Sequence, residues 1–250
     1  MRAGVALTVV AALVGLGATG VLAQEFLADR SASVTGQQVR AGAALPVTPQ
    51  VSRPVAASRG GRGRLPQVDA SWAARAAQAT GIPVPAVTAY ARATLAAPKR
   101  CELGWTTLAG IGWVESQHGT IGGRTLGRDG RSSSPILGPA LDGGEGLAAI
   151  RSTAQTAALH GNPTWDHAMG PMQFIPSTWS RFSRDGDGDG VKDPHDIDDA
   201  AASAAAYLCF DGHDLTTSSG WNAAIFSYNH DNGYVNAVYA AANRYGLAVQ

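Results

Sequence analysis

The sequence lacks the features that mark several common classes of protein. Only 15% of its 250 residues are charged, and 19 basic and 19 acidic side chains leave no net charge. Without a basic excess to neutralise phosphates, we expect no nucleic-acid partner. The six histidines form no HExxH motif or paired Cys/His spacing, so a zinc site is not predicted. A GxSxG serine elbow and a Gly-rich phosphate loop after a strand are also missing.

The amino end is predicted to lie outside the folded domain. No charge occurs between Arg2 and Glu25, and this apolar run is typical of an export signal. We expect residues 1–23 to be a cleaved signal peptide, with an uncleaved membrane anchor as the alternative. Both interpretations place the rest of the chain outside the cytoplasm, in an extracellular, cell-wall or periplasm-like space.

Residues 24–67 contain six Arg, and Pro and Gly interrupt every short apolar run. This composition predicts a disordered linker. The Arg side chains either keep the spacer soluble or attract it to an anionic wall or membrane surface.

Two cysteines are the only ones in the chain, Cys101 and Cys209. In an exported protein an even number of cysteines favours a disulfide over two buried thiols. We therefore expect a bond that clamps the long stretch of chain between them.

The remainder of the chain is predicted to be mainly α-helical. Asp69 can cap a helix over residues 70–80, and a second helix is expected over 85–97 with a proline in its first turn. Residues 200–210 are rich in Ala, and residues 221–228 place apolar side chains at helical spacing. No hairpin of alternating strands is predicted among these segments.

Glu115 is the candidate general acid. It follows Leu108 and Ile111 at i, i+3 and i+7, so that a carboxyl group extends an apolar helical stripe. Desolvation at such a position would raise its pKa and let it hold a proton near neutral pH. The alternative is a helix-end Glu that is solvated or paired with Arg. Glycosidases usually require two carboxylates, and no obvious second one follows Glu115.

An acidic segment, residues 185–199, has seven Asp and one Lys and a local net charge of −6. Its start matches the first half of an EF-hand calcium loop, with Gly190 at the sharp turn. Oxygen ligands at the matching positions belong to Asp185, Asp187, Asp189 and the Val191 carbonyl. An acidic turn without metal is the alternative, but its like charges would repel one another. The closing carboxylate is left open among Asp196, Asp198 and Asp199.

Four motifs occur in an order that resembles the bacterial lytic murein transglycosylase B family. They are Glu115-Ser116, Met169-Gly-Pro-Met-Gln-Phe-Ile-Pro-Ser177, the acidic segment running into Asp199-Ala-Ala-Ala-Ser-Ala-Ala-Ala-Tyr207, and Ser227-Tyr-Asn-His230. The resemblance covers residues 68–250, taken as the catalytic domain. It implies a mainly α, goose-type lysozyme-like fold with an EF-hand-like calcium loop, acting on peptidoglycan.

The resemblance also implies how one carboxylate could be enough. Glu115 would protonate the oxygen between N-acetylmuramic acid and N-acetylglucosamine, and would then deprotonate the muramic acid 6-hydroxyl to give a 1,6-anhydro end. Substrate-binding roles are implied for Gln173, Tyr207, Tyr228 and Asn229, with Ser116 orienting Glu115 or the substrate. The family's calcium ligands correspond to Asp185, Asp187, Asp189, the Val191 carbonyl and Asp199. We expect structural Ca²⁺, no organic cofactor and a monomer.

Two departures from the family pattern remain. Residues 119–167 form a long Gly-, Ser- and Pro-rich insertion, and we expect its segment 136–143 to roof the groove. Pro171-Met172 stands where many relatives carry glycines. Two alternative functions stay open: a hydrolase of the same glycan, and a non-catalytic calcium-stabilised module that binds cell walls.

Overall fold

The computed structural model describes residues 56–58, 65–144, 146–210 and 212–250. The signal or anchor predicted at residues 1–23 and most of the predicted linker lie outside this part of the chain. The described part is mainly helical, as expected. None of its helices combines the length and the hydropathy needed to cross a membrane.

Two short strands precede the first helix. Strand β1 (Ala56–Ser58) pairs antiparallel with β2 (Gln67–Val68). The predicted boundary between linker and domain, after residue 67, therefore falls inside β2.

The first two helices follow their predicted bounds closely. Helix α1 (Ala70–Thr80) begins where the Asp69 carboxylate accepts the backbone N–H of Trp72, and it ends at Gly81 with a φ of 74°. Helix α2 (Val84–Ala96) carries its proline in the first turn. Both are fixed by local signals in the sequence, caps and prolines, which is why the sequence predicts them well.

Six further helices complete the described domain. They are α3 (Trp105–Ser116), α4 (Ala154–His160), α5 (Pro176–Phe182), α6 (Ile197–Leu208), α7 (Ser218–Tyr228) and α8 (Asn232–Ala248). Helix α3 is central, because every residue from Trp105 to Gly112 is buried. It packs most extensively on α8, while α2 packs on α6.

A disulfide joins Cys101 and Cys209, which confirms the predicted pairing. Cys101 closes a 3-10 turn shortly before α3, and Cys209 follows the last residue of α6. The bond therefore ties the entry of the central helix to the end of α6.

The 119–167 insertion has its own structure. Strand β3 (Leu137–Ala140) pairs antiparallel with β4 (His167–Met169), and α4 lies between them in the chain. This strand pair was not anticipated, since these short segments show no alternation of apolar and polar residues. The buried Asp166 accepts hydrogen bonds from Ser152 and Thr156 and contacts the His160 ring, which joins α4 to the end of the insertion.

Candidate active site

Glu115 lies one residue before the end of α3 and is half-buried. Its Oε1 accepts a hydrogen bond of 2.7 Å from the hydroxyl of Tyr234. Burial raises the pKa of Glu115 to about 8, although the hydrogen bond from Tyr234 lowers it. The carboxyl group can therefore hold its proton at neutral pH, as a general acid must.

The turn after Glu115 fixes the end of α3. Gln117 and His118 both have left-handed backbones, with φ of 51° and 61°. The N–H of Gln117 donates to the carbonyl of Trp113, and that of His118 to the carbonyl of Gly112. These bonds cap the helix carbonyls, so that Glu115 is carried on a helix end with defined geometry.

Tyr234 was not predicted as a site residue. It lies in the first turn of α8, where the Asp231 carboxylate caps the helix by accepting the Tyr234 N–H at 2.7 Å. Two sequence signals could have located this helix: a capping Asp, and buried Tyr234, Val238 and Tyr245 at helical spacing. Nothing in the sequence indicates that Tyr234 reaches Glu115 from a helix so distant in the chain.

Two predicted tyrosines extend the site from Tyr234. The rings of Tyr228 and Tyr234 are parallel, with centroids 6.5 Å apart, and Tyr207 meets Tyr228 edge-on at 5.5 Å. The Tyr228 hydroxyl donates to the Met172 carbonyl and that of Tyr207 to the Ser227 carbonyl. Burial raises the pKa of Tyr228 well above its usual value, so it stays neutral. The three rings form one aromatic cluster beside Glu115.

Gln173 lies in the segment that Tyr228 contacts. Its backbone has a φ of 49°, and its side-chain Nε2 donates to the Gly170 carbonyl at 2.9 Å. Because a carbonyl oxygen can only accept, this bond fixes which end of the amide is nitrogen. Gln173 is half-buried, so its amide remains partly accessible from solvent.

Ser116 joins the Gln173 segment to α3. Its buried hydroxyl donates to the Pro171 carbonyl at 2.6 Å and accepts the Gly119 N–H at 2.8 Å. These contacts are to backbone atoms. The structure therefore connects Ser116 and Tyr228 to the segment that carries Gln173, and Tyr207 to Tyr228. Asn229 lies directly after Tyr228 at the end of α7.

A buried polar network lies behind Glu115. His118 Nδ1 is 3.1 Å from the Tyr90 hydroxyl, and His118 Nε2 is 2.8 Å from the Tyr245 hydroxyl. Burial lowers the pKa of His118 to about 3, so the ring is neutral over the physiological range. This network, which links α2 to α8 through the turn after α3, was not anticipated from the sequence.

The acidic segment brings together three of the five predicted calcium ligands. Carboxylate oxygens of Asp185, Asp187 and Asp199 lie within 4.8 Å of one another. Asp199 is buried, and its two oxygens accept the backbone N–H groups of Gly186 and Asp193.

The Asp189 side chain is not part of this group of carboxylates. The Asp189 carboxylate instead accepts the N–H of Val191, whose carbonyl was the remaining candidate.

The candidates for the closing carboxylate have different environments. Asp196 caps α6 by accepting the Asp198 N–H, and Asp198 forms an ion pair with Arg92. Asp199 is the one that joins the group of carboxylates.

A family model matches part of this chain. Residues 147–225 match the family model described as Transglycosylase SLT domain. The matched range contains Gln173, the acidic segment and Tyr207, whereas Glu115, Tyr228 and Tyr234 lie outside it. No curated protein and no solved structure matches the chain significantly. Together with the mainly helical fold, the match supports assignment to the lytic transglycosylase superfamily and a lytic activity on peptidoglycan.

Proposed function

We propose that this protein is a peptidoglycan lytic transglycosylase in which Glu115 acts as both acid and base. It would cleave the β-1,4 bond between N-acetylmuramic acid and N-acetylglucosamine and leave a 1,6-anhydro end. The observation that carries the proposal is the half-buried Glu115, with a pKa of about 8, beside a cluster of neutral tyrosines. The substrate is extracytoplasmic, in agreement with the export predicted from residues 1–23.

A single carboxylate is consistent with the electrostatics of Glu115. A retaining glycosidase would hold a second carboxylate about 5 Å away, and its negative charge would raise the pKa further. Among the described residues, burial alone accounts for the raised pKa of Glu115. This argues against a carboxylate nucleophile and is consistent with the proposed mechanism, in which the substrate supplies the nucleophile.

The reaction then balances without water. The Glu115 carboxyl donates its proton to the glycosidic oxygen as the C1–O bond breaks, and positive charge develops at C1 of the muramic acid. The carboxylate next accepts the proton of the 6-hydroxyl while that oxygen bonds to C1. Glu115 ends protonated and ready for another cycle. Tyr234 would stabilise the transient carboxylate, because it donates a hydrogen bond to Oε1.

The remaining cluster fits a site for sugar rings. Gln173 supplies a partly accessible amide for the acetamido or hydroxyl groups of the glycan, and the buried, mutually packed rings of Tyr207, Tyr228 and Tyr234 would form the base of the site. We assign Gln173, Tyr228 and Asn229 to substrate binding. For Ser116 the contact with Pro171 supports an indirect role, since it holds the Gln173 segment against α3.

We further propose that the acidic segment binds a structural calcium ion. The grouped oxygens of Asp185, Asp187 and Asp199 are the hard ligands that Ca²⁺ prefers, and Asp189 and the Val191 carbonyl are close enough in sequence to complete the set. A bound ion would neutralise this charge just before α6, the helix that carries Tyr207. Its expected contribution is therefore to the stability of the site rather than to bond cleavage.

The proposal is tested by digesting purified peptidoglycan sacculi and weighing the soluble products by mass spectrometry. We expect anhydro-muropeptides from the wild-type protein and none from Glu115→Gln, which keeps the shape and removes the acid. Glu102→Gln, a matched substitution of another helix-flanking Glu, should keep the activity.

The products also separate the alternatives. A hydrolase would give reducing ends about 18 Da heavier, by the one water it adds. Sedimentation with walls without release of any fragment would indicate the binding module. An active Glu115→Gln variant would show that the acid has been misassigned.

A further inference from the structure

Gly138, in strand β3 of the insertion, lies against the side chain of Gln173. A Cβ atom at this position would be 2.9 Å from Gln173 Oε1 and 3.2 Å from the Cβ of Ala168. Real Cβ atoms do not approach an oxygen this closely, so a larger residue would force the amide to move. A glycine at this position therefore leaves the Gln173 amide in the place where the structure has it, whereas an added Cβ would displace it.

The insertion and Gln173 are also joined through backbone hydrogen bonds. The Gly170 N–H donates to the Ile136 carbonyl at 2.8 Å, immediately before β3. The Gly170 carbonyl in turn accepts both the Gln173 N–H and the Gln173 Nε2–H. Gly170 therefore connects the insertion to both the backbone and the side-chain amide of Gln173.

His167 holds the other side of Gly138. Its Nδ1 lies 2.8 Å from the Gly138 carbonyl, so this nitrogen carries the proton and donates. Its Nε2 lies 2.9 Å from Nδ2 of Asn162, whose Oδ1 accepts the N–H groups of Thr164 and Trp165. The position of Gly138 is therefore fixed by a chain of polar contacts within the insertion.

We propose that the 119–167 insertion forms one wall of the sugar-binding site and that Gly138 is a positioning residue, which sets the orientation of the Gln173 amide. The inference rests on the proposed function only in taking Gln173 as a ligand for the glycan. It gives the insertion, whose segment 136–143 was expected to roof the groove, a specific contact with Gln173. It also predicts that Gly138 acts on substrate affinity and leaves the proton transfers at Glu115 unchanged.

The decisive variant is Gly138→Ala, with Gly144→Ala as its matched control. Gly144 is exposed in the same insertion, and a Cβ there would meet only the Asp142 side chain. Displacing one neutral hydrogen bond should raise KM roughly three- to tenfold for Gly138→Ala, with kcat nearly unchanged. Gly144→Ala should match the wild type. In a Gln173→Ala background, Gly138→Ala should add nothing further.

A spectroscopic readout tests the placement without relying on catalysis. The side-chain amide resonances of Gln173, assigned by their loss in Gln173→Ala, should shift in ¹H–¹⁵N spectra of Gly138→Ala and remain in place in Gly144→Ala. If Gly138→Ala does not fold, His167→Phe, which removes the bond to the Gly138 carbonyl, should shift the same resonances and raise KM. Unshifted amide resonances, or a Gly138→Ala variant with wild-type KM, would overturn the inference.

These outcomes are distinguishable from failure of the proposed function. A wild-type protein that releases no fragments would refute the proposed activity. The amide resonances would still decide whether Gly138 positions Gln173. An active wild type with an unaffected Gly138→Ala variant would refute only the role of Gly138.

Discussion

The hydrogen bond from Tyr234 to Glu115 gives the site a testable pH dependence. Glu115 must be protonated to donate to the glycosidic oxygen, so activity should fall as pH rises through its pKa of about 8. The Tyr234 hydroxyl stabilises the carboxylate form and holds this pKa below the value that burial alone would give. Tyr234→Phe removes the donor, so the alkaline limb should move to higher pH.

The size of the shift follows from the difference between two hydrogen bonds. A bond to a charged acceptor contributes about 1.5–3 kcal/mol, and one to a neutral acceptor about 0.5–1.5 kcal/mol. The difference of roughly 1–1.5 kcal/mol corresponds to about one pH unit. Release of soluble fragments from sacculi, measured between pH 5 and 10 as kcat/KM, would report the pKa of the free protein.

A second tyrosine of α8 provides the control. Tyr239 lies further along the same helix than Tyr234, and its ring contacts Trp221 edge-on. Tyr239→Phe should leave the alkaline limb where it is. An alkaline limb that stays in place or moves to lower pH in Tyr234→Phe would show that this hydroxyl does not set the pKa of Glu115.

Two further predictions concern stability, both measured by thermal unfolding. Reducing the Cys101–Cys209 bond, or replacing both residues by Ser, should lower Tm by on the order of 10 °C, because closure of so long a loop contributes up to about 4.7 kcal/mol. An unchanged Tm would show that the disulfide does not stabilise the folded protein. Chelating calcium should lower Tm by several degrees, because an ion present at a hundred times its Kd stabilises the folded state by about 2.7 kcal/mol. Asp199→Asn should abolish the effect of the chelator on Tm, whereas Asp214→Asn, at an exposed position, should not. A wild-type Tm that does not change with the chelator would argue against a bound ion.

The elements predicted well from sequence are those fixed by short-range signals. Helix α1 is bounded by a capping Asp69 and by Gly81 in the left-handed region, and both signals lie within one turn of the helix they limit. The disulfide was predictable because only one pairing of two cysteines exists. Strands β3 and β4 were not predictable, since they are short and are held by the surrounding insertion rather than by their own pattern.

The residues of the candidate site also divide into those that short sequence signals indicate and those that only the folded chain brings into contact. Glu115 could be proposed from the sequence because a carboxyl group on an apolar helical stripe is unusual, and Gln173 because it lies in a motif that carries the family resemblance. Tyr234, His118 and Gly138 could not, because their roles arise from contacts with partners far away in the sequence. Tyr234 belongs to a helix that packs along α3, and that packing is a property of the folded chain.

The raised pKa of Glu115 and the packing of the central helix have a common origin. Small residues let neighbours approach α3 closely: a Cβ at Gly110 would be 2.7 Å from the Val238 carbonyl on α8, and one at Gly112 would overlap the Tyr90 hydroxyl on α2. The same close packing of α8 places Tyr234 against Glu115 and removes part of the carboxyl group from contact with water. Because desolvation is the main cause of the raised pKa, the proton that the reaction needs is held by the interhelical packing of the whole domain.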